Sequence, residues 1–197
     1  MKKWESLNEL LWVDSELDTL RALHHPFVHS LGAGTLSRES FQFYIAQDAH
    51  FLAVFASSYA AAERKASRLD DKSIAAQLST LHEGVAKELE MHGSYAKGWG
   101  VDLADMLHPS AATKAYLDFL GDVAETEDVV YILAAMLPCS RLYGFLGEEL
   151  AAAYPQASHA YKDWVMTYSS PAYLALPATK GALLDKLGKD ANFGEFP

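Results

Sequence analysis

The sequence predicts an all-α protein. Apolar residues recur at helical spacing along nearly the whole chain, and alternating strand-like runs are scarce. Ala and Leu are abundant where Val and Ile are few. At 197 residues, half of them apolar, the chain has the length for one domain with a sizeable core. Residues 1–197 read as a single helical domain with no internal repeat, low-complexity tract or linker.

A first helix is expected from about Trp4 to His25, with Leu7, Leu10, Leu11, Leu17, Leu20 and Leu23 inward. Pro26 should kink or restart it, because proline lacks the backbone donor a helix interior needs. Gly32, Ala33 and Gly34 end that segment, and His24, His25 and His29 around Pro26 mark a structured turn. Ser37 is a good N-cap for a second helix reaching about Ser67, with Glu39 in its first turn. Phe41, Tyr44, Ile45, Asp48, Phe51, Leu52 and Phe55 make its inner stripe. Asp70 or Asp71 caps a third helix to about Gly98, turning Ile74, Leu78, Leu81, Val85, Leu89 and Tyr95 inward. Gly100 to Ser110 is the longest non-helical connection. Pro109 and Ser110 then start a fourth helix with Tyr116, Phe119 and Leu120 inward. A fifth runs from about Val129 to Tyr154, a sixth from about Ala157 to Tyr168, and a last from about Ala172 to Leu187, interrupted by Pro177. Short connections imply antiparallel neighbours in a bundle.

A net charge of −10 and a pI near 5.2 argue against a nucleic-acid partner and against docking on an anionic membrane. The lone Cys139 allows no internal disulfide. Glu5, Asn8, Glu9, Asp14 and Glu16 interrupt any signal-peptide core. The most apolar window, Val129 to Leu137, is shorter than the ~20 residues of a membrane helix. A cytoplasmic protein is the expectation.

Several residues carry potential chemistry. Pro138 falls mid-helix, where it should free the Ala134 carbonyl and kink the chain. Cys139 follows it and shares a face with Met136 and Tyr143. A lone cysteine reads either as a small buried hydrophobe or as a nucleophile, and the second needs a base or a lowered pKa that the local sequence does not show. Asp48, on an aromatic stripe, requires either a partner or a function, since burying an unpaired carboxylate is costly. Tyr116, Tyr143 and Tyr168 fit a core or the walls of a pocket for a flat heteroaromatic ring. Glu88 and His92, four apart, resemble half of a metal site. A bundle di-metal site, however, needs Glu-x-x-His pairs on facing helices, and neither His82-Glu83 nor Glu148-Glu149 supplies one.

Five phrases, in order, resemble the TenA / thiaminase II family. They are His25-Pro26-Phe27-Val28 leading to Gly34-Thr35-Leu36; Phe41-x-x-Tyr44-x-x-Gln47-Asp48-x-x-Phe51-Leu52; Glu88-x-x-Met91-His92; Leu137-Pro138-Cys139-x-x-x-Tyr143; and Tyr161-x-x-Trp164-Val165-x-x-Tyr168-Ser169-Ser170. The wording is closest to the cysteine-bearing branch, including the domain fused to a phosphatase in plant thiamine-phosphate phosphatases.

The resemblance implies a haem-oxygenase-like helical bundle, a tetramer, with no metal and no other cofactor. It implies hydrolysis of an aminopyrimidine or of thiamine to hydroxymethyl-pyrimidine. Cys139 would be the nucleophile and Asp48 the anchor of the ring nitrogen and exocyclic amine. Tyr116, Tyr143, Tyr168 and Phe51 would line the pocket. The branch carries a catalytic glutamate on a final helix well beyond the position of Tyr168. The sequence ends at Pro197 before that point, its tail from Gly188 reads as irregular, and Glu195 does not match. The alternatives to a salvage hydrolase are a catalytically weak pyrimidine-binding or partner-binding protein of the same fold, and a metal-dependent oxidase built on Glu88 and His92.

Overall fold

The computed structural model describes residues 6–105, 108–155 and 158–189. Trp4 and Ala157, expected at helix starts, and Glu195, with the tail from 190 onward, lie outside the described residues. All regular structure among the described residues is helical. The chain divides into two compact units, one of residues 1–36 with 136–197 and one of residues 37–135.

The second unit is built on α4 (Arg38–Ala66), α5 (Lys72–Gly98) and α6 (Ala111–Thr126). Ser37 caps α4 by accepting from the Ser40 N–H, Asp71 caps α5 through Ser73, and Ser110 caps α6 through Thr113. His82 meets Glu63 near the α4–α5 turn, and His92 meets Ile45 far from it, so α5 runs antiparallel to α4. Gln47 accepts from the Ser110 N–H at 2.8 Å, and Lys65 donates to the carbonyls of Glu125 and Glu127 at the other end of α6. Helix α6 therefore runs parallel to α4, with both of its ends tied to it. Phe41, Ile45, Phe55, Tyr59, Leu78 and Leu120 are buried here.

Two expected faces are rotated. Leu81, Val85, His92 and Ala96 form the buried stripe of α5, and Tyr95 is exposed. Small Ala96 and a hydrogen-bonded His92 allow close approach, which a phenol one position away does not. In α6 the stripe is Leu120 and Ala124, leaving Phe119 at 51% and Tyr116 at 37% exposure. The connection from Gly100 to Ser110 contains a 3₁₀ turn at Leu103–Asp105.

The first unit holds α1 (Leu7–Asp14), α2 (Glu16–Leu23), α3 (Pro26–Gly32), α8 (Lys162–Tyr168) and α9 (Pro171–Gly188). The expected single first helix is three. The first break falls at Ser15, whose hydroxyl donates to the Leu11 carbonyl at 2.8 Å. That break resets the helical face: Thr19 is buried, while Leu17 and Leu20 point outward. Pro26 restarts the chain as expected, with the His25 ring accepting from the Phe27 N–H as the cap of α3. Gly34, at φ +74°, makes the turn that follows, and a Cβ there would meet the His159 ring at 2.6 Å.

Helix α7 (Val129–Ala153) contains the division between the units. It runs through Pro138, and α9 runs through Pro177 rather than breaking there. A mid-helix proline costs ~3 kcal/mol. Burial on both sides of Pro138 (Leu133, Met136, Leu146, Leu150) and beyond Pro177 (Leu183, Leu184) offsets that cost. The apolar window from Val129 is thus part of a 25-residue helix, long and apolar enough by length and composition to cross a membrane. Half of its most apolar stretch is buried within the protein.

Candidate functional site

In the second unit, α4 carries Asp48 with Phe51 and Phe55 on the following turns. Phe51 packs against Phe55 at 4.8 Å between ring centroids, and its other neighbour is Tyr116, stacked at 5.7 Å and 15°. The Gln47–Ser110 hydrogen bond fixes where α6 starts, and Tyr116 lies a turn and a half into that helix. One polar tie therefore sets the phenol over Phe51. The result is an aromatic wall with a partly exposed phenol at one end and a carboxyl one turn below.

The Asp48 side chain keeps 16% of its surface, and Oδ2 lies 3.7 Å from Nδ1 of His92, which keeps 8%. His92 Nε2 is 2.9 Å from the Ile45 carbonyl oxygen. Burial pushes the Asp48 carboxyl up to about 6; His92 pulls it down and Glu88, one turn before His92 on α5, raises it further. The pair that resembled half of a metal site is thus engaged with Asp48 through space. Sequence reading missed this partnership, because residues 48 and 92 meet only through the α4–α5 hairpin.

In the first unit, α7 presents Cys139 and Tyr143 one turn apart, both half-buried. Tyr143 meets the Tyr168 ring at 4.8 Å and the Trp164 ring at 5.7 Å. Tyr168 also packs on Trp164 at 4.5 Å and edge-on to Tyr173 at 4.7 Å. Neither Trp164 nor Tyr173 stood out as a site residue in the sequence. Gly147, one further turn along the same stripe, touches the backbone of Tyr168: a Cβ there would lie 2.5 Å from its carbonyl carbon. Only glycine lets the end of α8 approach α7 this closely, and Tyr168 reaches Tyr143 because of it.

The opposite stripe of α7 is held differently. Arg141 donates to Asn8 Oδ1 at 2.6 Å and to Glu9 Oε1 at 2.9 Å, and its guanidinium lies 4.5 Å from the Trp12 ring centroid. Asp185 of α9 accepts from Ser6 Oγ and from the Asn8 N–H, each at 2.8 Å, placing an anion at the start of α1. These contacts wall an open groove of about 600 Å³ with Phe145 and Pro177.

The sequence-predicted site residues therefore form two constellations: Asp48, Phe51 and Tyr116 in one unit, and Cys139, Tyr143 and Tyr168 in the other. The first offers a proton-bearing carboxyl beside a flat apolar wall. The second offers a thiol beside a phenol cluster.

Comparison with known proteins gives relatives of consistent kind. The chain is 34% identical to the bifunctional TH2 protein, mitochondrial, of Arabidopsis thaliana, over 93% of its own length and 32% of that protein's. It is 30% identical to the aminopyrimidine aminohydrolase of Halalkalibacterium halodurans, covering 84% of this chain and 75% of the relative. The chain thus spans about a third of the plant protein, at 32%. Among solved structures, a TenA family transcription regulator from Silicibacter sp. TM1040 is similar, with a TM-score of 0.86 and 29% identity, covering 100% of this chain and 88% of that one. A TenA homologue from P. horikoshii OT3 has a TM-score of 0.81 and 27% identity, covering 94% and 87%. The all-helical, haem-oxygenase-like fold class expected from the sequence is that of these neighbours. Residues 16–193 match the TENA/THI-4/PQQC family, and the chain belongs to it.

Proposed function

We propose that this chain is a thiamine-related hydrolase that replaces the amino group of an aminomethyl-pyrimidine, or the leaving group of thiamine, with hydroxyl. For the amine the balance is R–CH₂–NH₂ + H₂O → R–CH₂–OH + NH₃. Relatives named aminopyrimidine aminohydrolase support this reading. The observation that carries it is Asp48: a buried carboxyl, pushed up to about 6, at the foot of an aromatic wall.

The chemistry of the ring explains why such a group fits. The edge of a 4-aminopyrimidine presents an acceptor, the ring nitrogen, beside a donor, the exocyclic N–H. A protonated carboxyl presents a donor beside an acceptor and matches it at two points. An ordinary carboxylate presents two acceptors and repels the ring nitrogen. Raising the proton affinity by burial keeps the proton available near neutral pH, and moving it onto the ring nitrogen makes the ring carbons electron-poor. The Cys139 thiol is the nucleophile that adds to the ring and leaves again once hydroxyl has replaced the amine. Phe51 and Tyr116 supply a face for stacking, and Tyr143 and Tyr168 supply hydroxyls and edges around the thiol.

In this reading the protein needs no metal or other cofactor, works in the cytoplasm, and assembles as a homo-oligomer, a tetramer by family resemblance. Incubation of the purified chain with aminomethyl-pyrimidine and with thiamine, beside Cys139→Ala, tests it. Cysteine-dependent release of hydroxymethyl-pyrimidine is the expected result. Pyrimidine binding by calorimetry without release would overturn the hydrolase and leave a pyrimidine-binding protein.

A further inference from the structure

His92 is set in a way that space-filling does not require. Its Nε2 faces the Ile45 carbonyl oxygen at 2.9 Å, and a carbonyl only accepts, so Nε2 carries the hydrogen. Neutral His92 is then the Nε2–H tautomer, and Nδ1 presents a lone pair. That lone pair lies 3.7 Å from Asp48 Oδ2, between two side chains that are largely out of water. Two facing acceptors repel unless a proton comes between them. One proton converts the pair into carboxylic acid with imidazole, or carboxylate with imidazolium, both attractive. Ile45 lies three residues before Asp48 on α4, so the imidazole is anchored to the same helical turn that carries the carboxyl.

We propose that His92 is the positioning residue for Asp48: held through Nε2–H by the Ile45 carbonyl, it shares one proton between Nδ1 and Asp48 Oδ2, and so presents that carboxyl to a pyrimidine edge as a donor. The proposal deepens the reading of Asp48 as ring anchor and rests on it. The charged and titratable groups around the carboxyl are few. Helix α5 brings His92 and Glu88, which act on it in opposite directions. Helix α6 brings Tyr116, over Phe51. On α4 itself the neighbour is His50, whose Nε2 is buried with no hydrogen-bond partner among the described residues.

The test follows the Asp48 carboxyl and the His92 ring nitrogens by NMR across the acid-to-neutral range in the wild-type protein, where folding is not in question. His92 Nε2 is expected to stay protonated throughout, with Nδ1 and the carboxyl titrating together. In His92→Gln the side-chain amide can still donate to Ile45, so the anchor is imitated while the shared proton is lost. The Asp48 midpoint then moves up, the pH limb of kcat/KM moves with it, and kcat falls on the order of tenfold, part of the ~10²–10⁴ that positioned proton transfer supplies. Glu88→Gln, at an exposed position, moves the midpoint down. A hydrogen on Nδ1 in place of Nε2, or an unmoved Asp48 midpoint in His92→Gln, would overturn the proposal. Absence of hydrolysis in the wild type would sink the proposed function instead, and the resonances would still report on the pair.

Discussion

Asp48 and Cys139 both sit half-buried on long helices with aromatic residues one turn on, but different forces prepare them. Asp48 is set by electrostatics: burial raises it, one histidine opposes and one glutamate reinforces. The surroundings of Cys139 are set by shape. Tyr143, Trp164, Tyr168 and Tyr173 interlock, and a missing Cβ at Gly147 admits the Tyr168 backbone. A charge environment can be retuned by single surface substitutions without moving atoms. A packed environment changes only by moving them.

The largest effect that separates the two regions is expected at the nucleophile. Cys139→Ala should lower kcat by about 10³-fold or more and leave pyrimidine binding within a few-fold. Asp48→Asn should lose about 10²-fold in kcat/KM and weaken binding as well, read by steady-state kinetics beside calorimetry. Equal loss of binding in the two variants would erase the distinction between anchor and nucleophile.

The next effect is in stability against pH and belongs to Asp48 alone. Its folded value, about 6, lies above the ordinary 3.8. Below both values the carboxyl is protonated in both states and contributes nothing. As pH rises through the window between them, the unfolded chain gains by ionising and the folded chain does not, so stability falls. Above the window the loss is complete, at roughly 3 kcal/mol as an upper figure. Urea denaturation across that window should show this fall in the wild type and a flatter profile in Asp48→Asn.

Shape should dominate elsewhere. Gly147→Ala is expected to cost ~1–3 kcal/mol, because the backbone of Tyr168 must retreat, and to alter the near-ultraviolet tyrosine signal. Gly93 in α5 is its control: nothing lies within 4 Å of a Cβ there, so Gly93→Ala should be stabilising by ~0.5–1 kcal/mol through helix propensity. Similar losses at both glycines would mean that the close approach at Gly147 does not matter. The smallest effect is expected at the aromatic wall. Tyr116→Phe should leave stability nearly unchanged, whereas Tyr116→Ala should lose ~0.5–1.5 kcal/mol of stacking on Phe51.

Much of the fold was legible because its signals are local. Ser37, Asp71 and Ser110 cap the helices at the positions their chemistry suggested, and Pro26 restarts the chain where it should. Signals that compete with longer-range packing were misread. Pro138 and Pro177 do not break their helices, since flanking burial outweighs the lost hydrogen bond. Ser15 divides the first helix without a glycine or proline to announce it. Leu17, Leu20, Tyr95 and Phe119 look like core residues by spacing but are exposed, because one reset turn or one close helix contact rotates the whole stripe.

For the candidate site, the sequence by itself determined which residue types stand at which helical positions: a carboxyl on an aromatic stripe, a thiol one turn before a phenol, and five family phrases in order. It also determined the helices that carry them, because periodicity and caps act over a few residues. Only the tertiary structure decided who neighbours whom. That His92 opposes Asp48 follows from the antiparallel α4–α5 hairpin, that Tyr116 stacks on Phe51 follows from the Gln47 tie, and that Tyr168 reaches Tyr143 follows from the absent side chain at Gly147. Such contacts depend on distances between chain segments tens of residues apart, and periodicity within a segment carries no information about them.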